Sequence, residues 1–186
     1  MEEDTGKSTH TDDGHTLLDY NRAGVPLIEI VSKPDMSSAD EARQFLENLR
    51  QRLRFIGVSD VKMEEGSLRC DVNINIVDDN GNKSGIAEIK NLNSFRSVVR
   101  AIEHEEKRQA EALARNEISS KETRRWDEQS QSTILMRKKD KTTDYRFSVD
   151  SDLPRLVLSE DYIQNIKDNL PELPNAKKER YMKEFK

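Results

Sequence analysis

Ser67-Leu68-Arg69-Cys70-Asp71-Val72-Asn73-Ile74-Asn75-Ile76 alternates apolar and polar residues without a break. Leu68, Cys70, Val72, Ile74 and Ile76 fall on one side; Ser67, Arg69, Asp71, Asn73 and Asn75 fall on the other. That is the period of a half-buried strand. Asp78-Asp79-Asn80-Gly81-Asn82 follows as a hairpin turn, with Asn80-Gly81 supplying the positive-φ positions. Gly85-Ile86-Ala87-Glu88-Ile89-Lys90 then returns as the partner strand. Glu88 and Lys90 share a face, and either join the polar row of the first strand or form cross-strand ion pairs. An ordinary solvated sheet face is also polar. Asp and Asn are poor strand formers, however, so the Arg69-x-Asp71-x-Asn73 row is a candidate site. Cys70 lies on the apolar side and reads as a packing residue, not a nucleophile.

Helices flank this hairpin. Upstream, Ser38 is an N-cap and Glu41 completes a capping box. Ala42, Phe45, Leu46, Leu49, Leu53 and Ile56 form one apolar stripe, ended by Gly57. Arg43, Arg50, Arg52 and Arg54 lie off the stripe, as a solvated face or as contacts to RNA. Downstream, Asn93 or Ser94 caps a second helix with Phe95, Val98, Val99, Ile102 and Leu113 as its apolar face. Its Glu103–Arg108 stretch reads as exposed and laced with i,i+4 pairs, with His104 at the surface.

Thr123–Glu128 and Ser132–Arg137 make a second hairpin over Gln129-Ser130-Gln131. In the stretch that follows, Arg137, Lys138, Lys139, Lys141 and Arg146 outnumber Asp140 and Asp144, beside Trp126 and Tyr145. Such a patch is either a polar loop or a phosphate and base contact. Ser159-Glu160-Asp161 caps a short helix to about Leu170, Pro171–Pro174 is a linker, and Asn175–Phe185 begins another helix. The fold class expected is α+β: a mainly antiparallel sheet with helices packed on one side, followed by the start of an all-helical domain.

Before the first helix, Leu17–Arg22 and Leu27-Ile28-Glu29-Ile30-Val31 meet at a Gly24-Val25-Pro26 break. The second segment is β-branched, apolar and bounded by Pro26 and Pro34, so it reads as a buried strand. Glu29 interrupts it. A buried carboxylate needs a partner, which here is either Arg22 or a nearby lysine, or a metal or substrate. Residues 1–16 are acidic and turn-like: either a solvated tail or a carboxylate cluster of the oxygen-ligand kind that Mg²⁺ prefers.

Composition sets further bounds. The chain has 186 residues, enough for one or two domains, but only 33% are hydrophobic against 36% charged. A thin core or a large surface follows, as in a piece of an assembly. The net charge of −5 argues against wholesale nucleic-acid binding through charge, while leaving room for a local patch. The one cysteine excludes an internal disulfide and fits a reducing compartment. No run of about 18 apolar residues and no leader pattern is present, so neither a membrane span nor a signal peptide is expected.

Asp19-x-Asn21-Arg22-x-Gly24-x-Pro26-Leu27-Ile28-Glu29-Ile30 resembles a signature of the B subunit of the aspartyl/glutamyl-tRNA amidotransferases. Three further blocks support the resemblance in order and spacing: Met1–Lys7, Lys62–Asn73 and Glu88–Phe95. It runs over nearly the whole chain. It implies part of the catalytic cradle domain over 1–170, then a linker and the start of the helical domain over 171–186. In the family the Met1 block lies inside the protein, so the chain is expected to be a fragment or a truncated gene model.

The activity implied is ATP-dependent, glutamine-dependent conversion of Glu-tRNA(Gln) or Asp-tRNA(Asn) to the amidated species through a phosphorylated side-chain carboxylate. Mg²⁺ and ATP are the implied cofactors. The implied partners are the amidase (A) subunit, the small (C) subunit and mischarged tRNA, in the cytoplasm or an organelle. The resemblance places magnesium-binding carboxylates at Glu3 and Glu29. Arg69, Asp71 and Asn73 are the candidate catalytic row, with Arg69 as a clamp on phosphate or carboxylate. Near Asp144-Tyr145-Arg146 the chain departs from the family: a Pro-Glu-Pro portion is replaced by Ser148–Ser151. Two other readings stand beside this one: a non-catalytic tRNA-binding or assembly piece, and a carboxylate-metal hydrolase using Glu3, Glu29 and Asp71.

Overall fold

The computed structural model describes residues 1–117, 120–139, 149 and 153–185. Described elements in chain order are β1 (Glu2–Glu3), β2 (Lys7–His10), β3 (Thr16–Asp19), β4 (Pro26–Leu27), α1 (Ala39–Phe55), β5 (Val72–Ile74), β6 (Ala87–Lys90), α2 (Phe95–Ala114), β7 (Lys121–Asp127), β8 (Ser132–Lys139), α3 (Glu160–Asp168) and α4 (Pro174–Glu184). This is an α+β fold, as the patterning predicts. Two compact units result: Met1–Asp35 with Thr143–Lys167, and Met36–Thr142 with Asp168–Lys186.

The larger unit is built on a four-stranded sheet of order β5-β6-β7-β8. The two predicted hairpins form its halves. β5 pairs antiparallel with β6, β7 pairs antiparallel with β8, and β6 joins β7 in parallel. The parallel joint needs a crossover, which α2 supplies. In the first hairpin Asp78 accepts from the backbone of Asn80 and Asn82 at 2.9 and 2.8 Å; Gly81 takes a φ of 84°, whereas Asn80, expected at positive φ with it, does not. The core packs α2 against the sheet and α1 against α2, through Leu46, Met63, Ile89, Leu92, Val98, Ala101, Ile102 and Trp126. Ser38 caps α1 through the Glu41 N–H. Glu41 reaches back one residue further than a capping box requires, to the Ser37 backbone at 2.6 Å. Ser94, not Asn93, caps α2. Of the α1 stripe, Leu46 is buried while Phe45 is exposed.

The α2 expectation needs the larger correction. Glu105 and Gln109 are fully buried, in phase with Val98, Ile102 and Leu113. Arg108 holds Glu105 in a two-pronged pair at 2.9 and 2.8 Å. Arg124 of β7 reaches the same carboxylate at 3.1 Å and Glu122 at 2.8 Å. The Thr133 hydroxyl donates to Glu105, and Gln109 adds a bond at 2.9 Å. Burial alone would raise the Glu105 pKa. Hydrogen bonds from Arg108, Thr133 and Gln109 outweigh it, so the net direction is down. His104 is half-buried, with its ring edge-on to Trp126 at 6.3 Å.

In the smaller unit, residues 1–16 are not a free tail: β1 pairs with β4. β2 and β3 form a hairpin in which Lys7 faces Asp19 and His10 faces Thr16. The expected buried strand over Leu27–Val31 is also corrected. Pairing stops at Leu27, opposite Glu2 of β1. Ile28, Ile30 and Val31 are 58%, 50% and 54% exposed. At the other end of the chain, Ser159 caps α3 through the Tyr162 N–H at 3.2 Å. The basic run beyond Lys139, with Tyr145, and all but Val149 of the divergent 147–152 segment lie outside the described residues.

Candidate functional site

Glu3 and Glu29 belong to the smaller unit. Around Glu3 the two sequence blocks of that unit interlock. Glu3 sits opposite Pro26. The Asp4 N–H donates to the Val25 carbonyl at 2.8 Å, and the Gly24 N–H donates to the Asp4 carbonyl at 3.0 Å. A side chain at Gly24 would lie 3.3 Å from Glu3 Oε1, and the φ of +79° disfavours one in any case. A side chain at Gly6 would meet the Tyr20 ring at 3.0 Å and the Asp19 carbonyl at 3.1 Å. Both glycines are therefore explained by close approach of Met1–Lys7 to Asp19–Pro26.

Glu3 is half-buried in this turn, whereas Glu29 is exposed two residues past β4. Glu29 makes no ion pair among the described residues, so the expected Arg22 pair does not form. Solvation removes the need for one. No group of three or more His, Cys, Asp or Glu side chains gathers for a metal among the described residues. The donor chemistry of Glu3 and Glu29 nonetheless suits Mg²⁺, which takes one or two protein carboxylates and completes its shell with water and phosphate oxygens.

Arg69, Asp71 and Asn73 belong to the larger unit. From Ser67 to Ile76 every second residue is exposed and every other half-buried, as the alternation predicts, but the strand itself is shorter than expected: β5 covers only Val72–Ile74, and Arg69 and Asp71 precede it. Leu68, Cys70, Val72 and Ile74 pack against the core. Burial, aided by the Asp71 charge, pushes the Cys70 thiol up to about 11, consistent with a packing role.

The polar row continues across the sheet. Asn73 faces Glu88, and Glu88 faces Thr123. Lys90 donates to Asp71 Oδ2 at 2.6 Å and lies 3.1 Å from Glu88 Oε1. The Thr123 hydroxyl donates to Glu88 Oε2 at 3.1 Å. Burial pulls the Lys90 pKa down, but the bonds and charges of Asp71 and Glu88 outweigh it, so the net direction is up. The face thus offers an ammonium held between two carboxylates, flanked by Arg69, the exposed Asn73 amide and a buried threonine. Cations suited to phosphate oxygens stand beside carboxylates suited to amine protons.

A cross-strand ion pair of the Lys90–Asp71 kind was legible from the alternation, but Thr123 was not, because its place depends on the parallel β6–β7 joint. Glu105 and Gln109 carried a signal in their helical phase with Val98 and Leu113. Asn91 adopts a positive φ of 65° and donates to the Trp126 carbonyl at 2.9 Å. Leu92 is buried and Ser94 caps α2. Most of the Glu88–Phe95 block is thus accounted for by local structure.

The model of the GatB/GatE catalytic domain matches residues 1–164 of this chain. The B subunit of the aspartyl/glutamyl-tRNA(Asn/Gln) amidotransferase of Finegoldia magna is 59% identical over the whole chain, which covers 40% of that protein. Its namesakes from Clostridium kluyveri and Bacillus licheniformis are 52% and 50% identical, each covered to 39%. The chain spans about two fifths of the length of these relatives. With 164 residues matched, including every block that builds the Glu3 turn and the Arg69–Asp71–Asn73 face, the chain belongs to the GatB/GatE catalytic-domain family.

Proposed function

We propose that this chain supplies catalytic residues to a protein that amidates glutamyl- or aspartyl-tRNA in the cytoplasm, working with an amidase partner, a small third partner and ATP. The observation that carries this reading is the family match across residues 1–164. A carboxylate resists attack by ammonia because its leaving group would be oxide. A side-chain oxygen of the substrate therefore attacks the γ-phosphorus of ATP, releasing ADP. Ammonia, freed from glutamine elsewhere in the complex, then adds to the acyl carbon, and phosphate departs as the amide forms.

The chain's own residues have three tasks. Arg69 and Lys90 bind the phosphate oxygens and orient the acyl phosphate by charge-assisted hydrogen bonds. Asp71 holds Lys90 in place and accepts a proton from the attacking nitrogen. Asn73 orients the substrate amide-to-be. Glu3 and Glu29 would hold Mg²⁺, which when bound neutralises phosphate oxygens during transfer.

The test is amide formation by the full-length protein reconstituted with its partners, mischarged tRNA, glutamine and ATP. Amidated aminoacyl-tRNA with matching release of ADP and phosphate is expected. Failure to amidate, or amidation without ATP, overturns the reading.

A further inference from the structure

We infer that the cleft between the second half of α1 and the start of α2 binds the phosphodiester backbone of an RNA. This deepens the amidotransferase reading by giving its tRNA a docking place on the larger unit. The cleft holds about 370 Å³ and is lined by Arg50, Arg54, Lys62, Met63, Ser94 and Phe95 among others. A second hollow along α1 shares Arg50 and Arg54.

The two arginines differ from Arg43 and Lys62. Arg43 is satisfied by Asp40 and Glu47, both at 2.7 Å. Lys62 is satisfied by Glu65 at 2.7 Å. Arg50 and Arg54 make no ion pair among the described residues, yet they stand four residues apart on one helix face. Like charges at that spacing repel. A polyanion removes the repulsion.

Arg50 is also pre-organised. Its guanidinium lies over the Phe95 ring at 4.8 Å, which fixes the plane of a group suited to forked contact with phosphate. The start of α2 beside it has no acidic residue in its first turn, so nothing there opposes a phosphate. Of the two carboxylates on the rim, Asp60 is turned to Ser67 and Lys62, leaving Glu64. Two guanidinium groups one helical turn apart match a chain of phosphates better than a single small anion. RNA recognition further uses arginine planes and aromatic rings together.

The experiment uses the full-length protein in its complex and measures tRNA affinity between 50 and 200 mM salt. R50A/R54A removes two exposed groups, and an unchanged melting temperature verifies folding. Loss of two phosphate contacts lowers the salt slope by about 1.5 and weakens binding roughly ten-fold or more at low salt. KM for the aminoacyl-tRNA rises while kcat stays within about two-fold, and R50K/R54K restores the slope. An unchanged Kd and slope overturns the inference. So does a variant that loses its partner subunits while the assembled complex binds tRNA normally. A wild-type complex that binds tRNA through these arginines but makes no amide would leave the cleft standing and remove the amidation reading. A wild-type complex that amidates, with a variant of unaltered affinity, would do the reverse.

Discussion

At the scale of single residues, chemistry and stability separate on the sheet face. Asp71 and Lys90 are about half exposed, and their pair spans 2.6 Å. Exposed pairs contribute about 0–1 kcal/mol. Asp71→Asn keeps the shape and removes the charge, so it should lower the unfolding free energy by no more than about 1 kcal/mol. It should also cut amide formation roughly 100-fold or more, the scale of losing one group that acts in the transition state. Glutaminase activity of the amidase partner should survive. Denaturant unfolding and an amidation assay on the same preparation check both halves. Near-normal amidation would leave Asp71, and the row it shares with Arg69 and Asn73, as an ordinary solvated side of the sheet. Leucines show the same separation. Leu46 is 7% exposed and Leu18 is 58% exposed. Leu46→Ala should cost about 2–5 kcal/mol, whereas Leu18→Ala should stay within about 0.5 kcal/mol.

At the scale of elements, α2 is fastened to β7 and β8 by charge as much as by apolar packing. Glu105 receives Arg108, Arg124, Thr133 and Gln109 at once. Gln109 continues the chain to Ser84, whose hydroxyl donates to it at 2.5 Å. No buried side-chain nitrogen or oxygen lacks a partner among the described residues. Such a network orients α2 against the sheet, since any register shift would strand a buried charge. Arg124→Met should therefore destabilise the protein by about 3–5 kcal/mol, because it leaves Glu105 and Glu122 short of compensation. Chemical denaturation measures this directly. A cost under about 1 kcal/mol would mean that Arg108 alone satisfies both carboxylates.

At the scale of the whole molecule, acid stability follows from the same cluster. Glu105 has a folded pKa below its unfolded value, so its contribution is complete above the usual carboxylate range and is lost as pH falls through the folded value. His104 has a lowered pKa because burial and the nearby arginines outweigh the attraction of Glu105. The unfolded chain therefore takes up its proton first, and stability declines as pH drops below about 6.5. Both signs agree: stability falls with acidification, first through His104 and then through Glu105. His104→Gln should flatten the upper part of the decline, between about pH 7 and 5, and leave the lower part intact. Unfolding midpoints across that range check it, and an unaltered profile would place the titration elsewhere.

The sequence by itself determined the local structure. Alternation from Ser67 to Ile76, the Asn80-Gly81 turn, and Ser38 and Ser94 before their helices all act within a few residues, where propensity and hydrogen-bonding geometry suffice. The exposed row of Arg69, Asp71 and Asn73 followed from the same alternation, and the family from the spacing of four blocks. Tertiary structure alone decided what depends on partners distant in the chain. The parallel joint of β6 to β7 set Thr123 against Glu88. The fate of Glu105 turned on Arg124 and Thr133, which no helical pattern could supply. Leu27–Val31 had the composition of a buried strand, yet of it only Leu27 is paired and Ile28, Ile30 and Val31 are exposed. Burial is a property of what packs on a segment, and a segment's own residues specify only which side is ready to be covered.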